Sequence, residues 1–122
     1  MSSDISRLPP QTQERLLRLQ QLQQTLQSVL AQKQQVDAEQ TEVEQSLTEL
    51  QKTSDDAVIY KAIGSLLVRA EKGKVAAELE ERKDLLTTRT TVLARQEERL
   101  RSQVKEVQTK LQEELNPVPS SS

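Results

Sequence analysis

Two long segments without glycine or proline limit what this chain can fold into. They run from Gln11 to Thr53 and from Lys74 to Asn116, and apolar residues recur in both at alternating spacings of three and four. This heptad repeat is typical of coiled-coil helices. The seam of the first segment is Leu19, Leu22, Leu26, Val29, Lys33, Val36, Gln40, Val43, Leu47 and Leu50. The seam of the second is Ala76, Leu79, Lys83, Leu86, Thr90, Leu93, Glu97, Leu100, Val104, Val107, Leu111 and Glu114.

The composition also favours a coiled coil over a globular core. Of the 122 residues, 34% are hydrophobic and 30% are charged, and a single tyrosine is the only aromatic residue. Aromatic side chains supply much of the buried area of a compact core, so this chain lacks the bulk for one. Low aromatic content is also found in disordered chains. The unbroken heptad pattern decides between the two in favour of long helices.

A short stretch with strand character separates the two helical segments. Apolar residues 58–60 and 66–68 flank Gly64, and glycine supplies the positive φ that tight hairpin turns need. We therefore predict a β-hairpin at 57–70, between helices at 10–53 and 74–116. Flexible tails are predicted at 1–9 and 117–122. The predicted fold class is dominated by α-helix: a long antiparallel two-helix coiled coil joined by one β-hairpin.

The antiparallel pairing has one register in which the two seams coincide. It pairs residues whose numbers sum to 126, for example Leu19 with Val107 and Leu47 with Leu79. In this register the successive layers from Val29 to Val43 each contain one polar residue. Buried polar groups can fix the register of a coiled coil, or these layers can make its middle compliant. The sequence leaves both interpretations open.

The hairpin predicts that the chain assembles with others. An isolated two-stranded hairpin is marginal in water, and exposed apolar strand edges invite pairing with other chains. We expect strands of neighbouring subunits to complete an oligomeric β-barrel, because closure removes the free edges. The alternative is a hairpin that folds down over the helix ends. The predicted oligomerisation residues are Val58, Ile59, Tyr60, Ile63, Gly64, Leu66, Leu67 and Val68.

The sequence contains no recognisable catalytic constellation. The chain has no histidine or cysteine, which removes the commonest general base, the thiol nucleophile and the usual transition-metal ligands. The glycine spacing does not fit a P-loop. The net charge of −2 argues against a nucleic-acid surface or an anionic membrane. We expect no enzyme activity, no cofactor and no metal, and the lack of a signal-like or membrane-spanning run favours the cytoplasm.

The coil end opposite the hairpin carries more apolar residues than two-stranded packing uses. Leu16 and Leu17 add to the seam there. One interpretation is fraying of a leucine-rich end, and the other is a surface that binds apolar segments of other proteins. The candidate client-binding residues at this tip are Leu8, Leu16, Leu17, Leu19, Val107, Leu111 and Leu115.

The hairpin sequence resembles that of the β-class subunit of prefoldin. The Tyr-Lys-x-x-Gly pattern at Tyr60–Gly64 and the aliphatic strand that follows carry most of this resemblance. The glutamine-rich run at 20–24 and the run Arg95–Arg99 are also similar, so the likeness covers about residues 8–115. The α class has two hairpins, and the single hairpin here indicates the β class. The short polar tails and the lack of cysteine are closer to archaeal than to eukaryotic members.

The resemblance implies a function that the residues alone do not. It implies a hexamer of two α and four β subunits, with a double β-barrel body built from the hairpins and six coiled coils hanging from it. The distal tips would hold unfolded proteins without ATP and pass them to a group II chaperonin. Exposed tip charges that are candidates for the chaperonin contact are Arg15, Arg18, Glu113 and Glu114. The alternative is a structural coiled-coil tether in another multi-subunit complex.

Overall fold

The chain forms a helix, a β-hairpin and a second helix. In the computed structural model, which describes residues 7–116, helix α1 spans Pro10–Lys52 and helix α2 spans Lys72–Leu115. Strands β1, Ile59–Ile63, and β2, Leu66–Ala70, lie between them. This order confirms the predicted fold class. Most of the predicted tails lies outside the described residues.

Hydrogen bonds at the two ends of α1 define where the helix begins and ends. Pro10 occupies the first turn, where its missing N–H has no intrahelical partner to lose. The side-chain amide of Gln13 donates to the Leu8 carbonyl at 2.7 Å. At the other end, the backbone N–H and the hydroxyl of Thr53 both donate to the Leu50 carbonyl, at 3.2 and 2.7 Å. The helix therefore closes on its own carbonyls before the exposed connector 54–58.

The hairpin is closed by a two-residue turn at Gly64 and Ser65. Ile63 pairs with Leu66 next to the turn, and Ile59 pairs with Ala70 at the base. Gly64 has a φ of 59°, whereas Ser65 has no positive φ. A glycine at the first central position with an ordinary residue at the second is the pattern of a type II′ turn, whose twist matches the flanking strands. The turn chemistry predicted from Gly64 is confirmed.

Helix α2 begins two residues before the predicted start. Lys72 is its first residue, and the N–H of Val75 donates to the Glu71 carbonyl at 3.0 Å to close the first turn. Gly73, expected to mark the passage into the helix, lies inside that turn. A Cβ at Gly73 would meet no atom within 4 Å, so the position does not require glycine.

The described helices pack through the predicted seam in the terminal half of the chain, residues 7–32 and 93–116. Every seam position there is buried or half-buried. The deepest are Leu22 and Leu93, each 4% exposed. Thr12 in α1 donates to Glu114 in α2 at 2.9 Å, a contact that requires antiparallel helices. Their numbers sum to 126, so this pair obeys the register predicted from the heptads.

In the hairpin half, residues 33–92, the helices also pack through the predicted seam. All its seam positions are buried or half-buried, and Leu86 is only 2% exposed. Gln40 bonds across the seam, donating to the Thr87 hydroxyl and accepting from the Thr90 hydroxyl, both at 3.4 Å. These bonds give polar groups of the mid-seam partners on the facing helix, as is expected of polar residues that fix register.

Leu86 and Leu85 provide a matched test of the seam. Leu86→Ala is expected to lower the free energy of unfolding by about 2–5 kcal/mol, because it leaves a cavity among close-packed side chains. Leu85 is 56% exposed, so Leu85→Ala is expected to change it by no more than about 0.5 kcal/mol. Urea unfolding followed by helical circular dichroism measures both. Equal losses would show that the seam does not run through Leu86.

Candidate functional site

The hairpin exposes apolar side chains on both of its faces. Side chains alternate along each strand, which defines two sets. The Lys61 face comprises Ile59, Lys61, Ile63, Leu66, Val68 and Ala70. The Tyr60 face comprises Tyr60, Ala62, Leu67 and Arg69. Leu66 is 65% exposed on the first face, and Leu67 is 72% exposed on the second.

The hairpin also leaves both of its strand edges open. Among residues 7–116 its sheet has two strands only, so the outer edge of each carries backbone donors and acceptors without a ladder partner. The helices leave most of its apolar residues exposed, so the alternative in which the hairpin folds down over the helix ends is not found. Of the eight predicted oligomerisation residues, Ile59 is half-buried and Gly64 forms the turn. The exposed ones are Val58, Tyr60, Ile63, Leu66, Leu67 and Val68.

Two lysines tie the hairpin and its flanks to the helices. The Lys61 ammonium contacts the Glu78 carboxylate of α2 at 2.5 Å. The Lys72 ammonium donates to the Thr53 carbonyl at 2.7 Å and contacts the Asp55 carboxylate at 3.2 Å. Sequence reasoning missed both contacts, because they join residues 17 or 19 positions apart and follow no helical or strand period.

The predicted tip residues divide into seam and surface. Leu111 is buried at 5% exposure. Leu17 and Leu115 lie on the surface, 58% and 51% exposed. The remaining four are half-buried: Leu8, Leu16, Leu19 and Val107. The terminal half therefore presents two large apolar side chains to solvent out of the seven that the sequence singled out.

A polar cluster joins the two helices near these leucines. Thr12 is 3% exposed, and its hydroxyl donates to Glu114. The same carboxylate pairs with the Arg15 guanidinium, and the two side chains are 27% and 23% exposed. Arg15 and Glu114 were expected to be exposed charges, but they neutralise each other across the seam. Arg18 and Glu113 are exposed as expected.

Glu114 and Glu113 allow the polar cluster to be tested with its own control. Glu114→Ala leaves the Thr12 hydroxyl and the Arg15 guanidinium without their acceptor, and is expected to lower the free energy of unfolding by about 1–2 kcal/mol. Glu113→Ala removes an exposed carboxylate and is expected to change it by no more than about 0.5 kcal/mol. Urea midpoints at low ionic strength measure the difference. A loss equal to that of the control would contradict the pairing.

The described surface offers no sign of a metal centre or a membrane span. In residues 7–116, no group of three or more aspartate or glutamate side chains is placed to hold a metal ion. Neither helix within this range is apolar enough over a sufficient length to cross a bilayer. In the same range, six of the ten exposed large apolar side chains lie within residues 58–68, on or next to the hairpin.

The fold defines a class of protein: an antiparallel two-helix coiled coil whose single β-hairpin is left uncovered by the helices. The sequence signature of the Prefoldin subunit family matches residues 13–117. The matched residues cover α1 from its fourth residue onward, the hairpin and all of α2. The chain therefore belongs to the prefoldin family, and its relatives confirm the β class predicted from the single hairpin.

The similarity to known β subunits extends over nearly the whole chain. The prefoldin subunit beta of Methanothrix thermoacetophila is 44% identical over 92% of this chain and 93% of its own. That of Archaeoglobus fulgidus is 48% identical over 90% of this chain and 95% of its own. The crystal structure of the prefoldin beta subunit from Thermococcus strain KS-1 superposes with a TM-score of 0.82 at 42% identity, covering 92% and 98% of the two chains.

Proposed function

We propose that this chain is the β subunit of a prefoldin hexamer with two α and four β subunits. The observation that carries the proposal is the uncovered hairpin, whose two apolar faces and two free edges are costly to leave in water. Neighbouring strands would pair with both edges and close β-barrels, which have no edges left. The α-class partner and the other β subunits supply those strands.

The assembled protein acts as an ATP-independent holdase for unfolded polypeptides. Membership of the prefoldin family supports a chaperone role, and the chain carries no P-loop. The client surface is the tip of each coiled coil, where Leu17 and Leu115 are exposed. Two leucines per tip bind weakly, but several tips held on one body raise the overall affinity through avidity.

Held clients pass from these tips to a group II chaperonin in the cytoplasm. Arg18 and Glu113 are exposed charges near the exposed leucines, and charges at the rim of a contact speed association more than they strengthen it. This arrangement suits a short-lived contact with the chaperonin.

Leu67 tests assembly through the hairpin. Leu67→Gln is expected to weaken assembly with an α-class partner at least tenfold, because the side chain is 72% exposed in the isolated chain and burying a leucine contributes about 1.5–3 kcal/mol. Light scattering during size-exclusion chromatography over a concentration series measures this. Leu85→Gln, an exposed leucine on α2, is the control. Assembly of both variants at the wild-type concentration would contradict the hairpin interface.

Leu17 and Leu115 test the client surface. The double variant Leu17→Gln/Leu115→Gln is expected to form the hexamer but to lose most of its suppression of the aggregation of a denatured protein without nucleotide. Leu85→Gln/Val92→Gln is the matched control, since these residues are 56% and 47% exposed on the side of α2. Full protection by the tip variant would place the client surface elsewhere. A wild-type hexamer without protection would favour a structural tether.

A further inference from the structure

Lys61 is a charge on a strand face that is otherwise apolar. Its five neighbours on the Lys61 face are aliphatic, and closure of a barrel around them would strip water from an unpaired ammonium at a high free-energy cost. Its ammonium already has a partner in the same chain, the Glu78 carboxylate at 2.5 Å, with the two side chains 43% and 54% exposed. The pair links the middle of β1 to the second turn of α2.

Lys72 makes a second link, between the two chain segments that flank the hairpin. It is the first residue of α2, and its side chain is 21% exposed. It donates to the Thr53 carbonyl at 2.7 Å, just beyond the end of α1. Carbonyls at helix ends lack intrahelical partners and bind cations well. Lys72 thus joins the end of one helix to the start of the next.

We propose that Lys61 and Lys72 form a two-lysine anchor that fixes the orientation of the hairpin before subunits assemble. The connector 54–58 is mostly exposed, so apolar packing does little to hold the hairpin on that side. A hairpin free to swivel would lose that freedom on assembly, and pre-organised surfaces avoid this loss. The inference rests on the proposed hexamer and gives the lysine of the Tyr-Lys-x-x-Gly pattern a role.

Lys74 provides a control within the same turn. Its side chain is 78% exposed, and its ammonium is 3.8 Å from Glu71, only three residues away. It therefore links no separate elements of the fold. The Lys74→Met variant makes the same chemical change as Lys61→Met and Lys72→Met: it removes the ammonium and keeps an unbranched side chain of similar length. It leaves both links of the anchor in place.

The test uses the full chain with the variants Lys61→Met, Glu78→Gln and Lys72→Met, and the exchanged pair Lys61→Glu/Glu78→Lys. Hydrogen exchange of amides 59–70 in the unassembled chain reports the anchor. We expect severalfold faster exchange in the three single variants, near wild-type exchange in the exchanged pair, and no change for Lys74→Met. Amides in the middle of α2 serve as the internal reference, because the seam is untouched.

Assembly with the α-class partner provides the second measurement. Exposed ion pairs contribute modestly, so each single variant is expected to raise the concentration for half-assembly by about two- to fivefold per anchored subunit. The difference from wild type should shrink for Lys61→Met at high salt, where exposed pairs are screened. If Lys61 acted only through the packing of its aliphatic stem, the effect of Lys61→Met would not depend on salt. The exchanged pair would then not restore assembly.

Two outcomes would overturn the anchor. If Lys61→Met weakens assembly and Glu78→Gln does not, Lys61 contacts a neighbouring subunit instead of orienting the hairpin. If hairpin exchange is unchanged in all three single variants, the two lysines do not hold it. Failure of the wild-type chain to assemble would instead contradict the proposed hexamer, and the exchange measurement would still decide whether the anchor exists.

Discussion

The structure depends on the burial of aliphatic side chains between α1 and α2. The chain has one aromatic residue, so leucine and valine supply nearly all the apolar area that folding can remove from water. The buried apolar residues of the described chain all lie on the two seams. Each helix buries its apolar stripe against the other helix, so little apolar helix surface remains to cover the hairpin. The exposure of the hairpin is thus a consequence of the seam.

Polar contacts determine geometry where the aliphatic seam cannot. A heptad seam can slide by one repeat with little change in the area it buries, whereas a hydrogen bond between particular residues is lost. Thr12 with Glu114 and Gln40 with Thr87 are such pairs, one in each half of the chain. The contact of Lys61 with Glu78 has a different role, since it joins a strand to a helix.

Periodic features of this fold could be predicted from the sequence, and single contacts could not. The seam repeats many times, so one irregular position such as Gln40 does not hide it, and the register follows from two such patterns. The hairpin turn is equally local, because Gly64 alone provides the positive φ. The contact of Lys72 with the Thr53 carbonyl depends on the exit angle of the hairpin and on a side-chain rotamer. A repeating sequence pattern specifies neither the exit angle nor the rotamer.

The tip leucines show how a small angular difference separates packing from surface. Leu16 is half-buried and Leu17 is 58% exposed, because one residue along a helix turns the side chain by about 100°. Sequence reasoning identified an excess of leucines at this end but grouped Leu111, a seam residue, with Leu17. Applying the heptad register to each tip residue separates them, since Leu111 occupies a seam position and Leu17 does not.

The hairpin and the tips make different physical demands on one chain. The proposed client surface, built from a few exposed leucines, must stay weak, since a larger apolar patch would bring the free subunits together. Weak sites become effective only when several are held on one body within reach of the same polypeptide. Avidity also fails when geometry prevents simultaneous contact, so in the proposed hexamer the orientation of each coil affects holding, as the leucines do. Under the proposed two-lysine anchor, that orientation is set at the hairpin base, where Lys61 of β1 contacts Glu78 of α2.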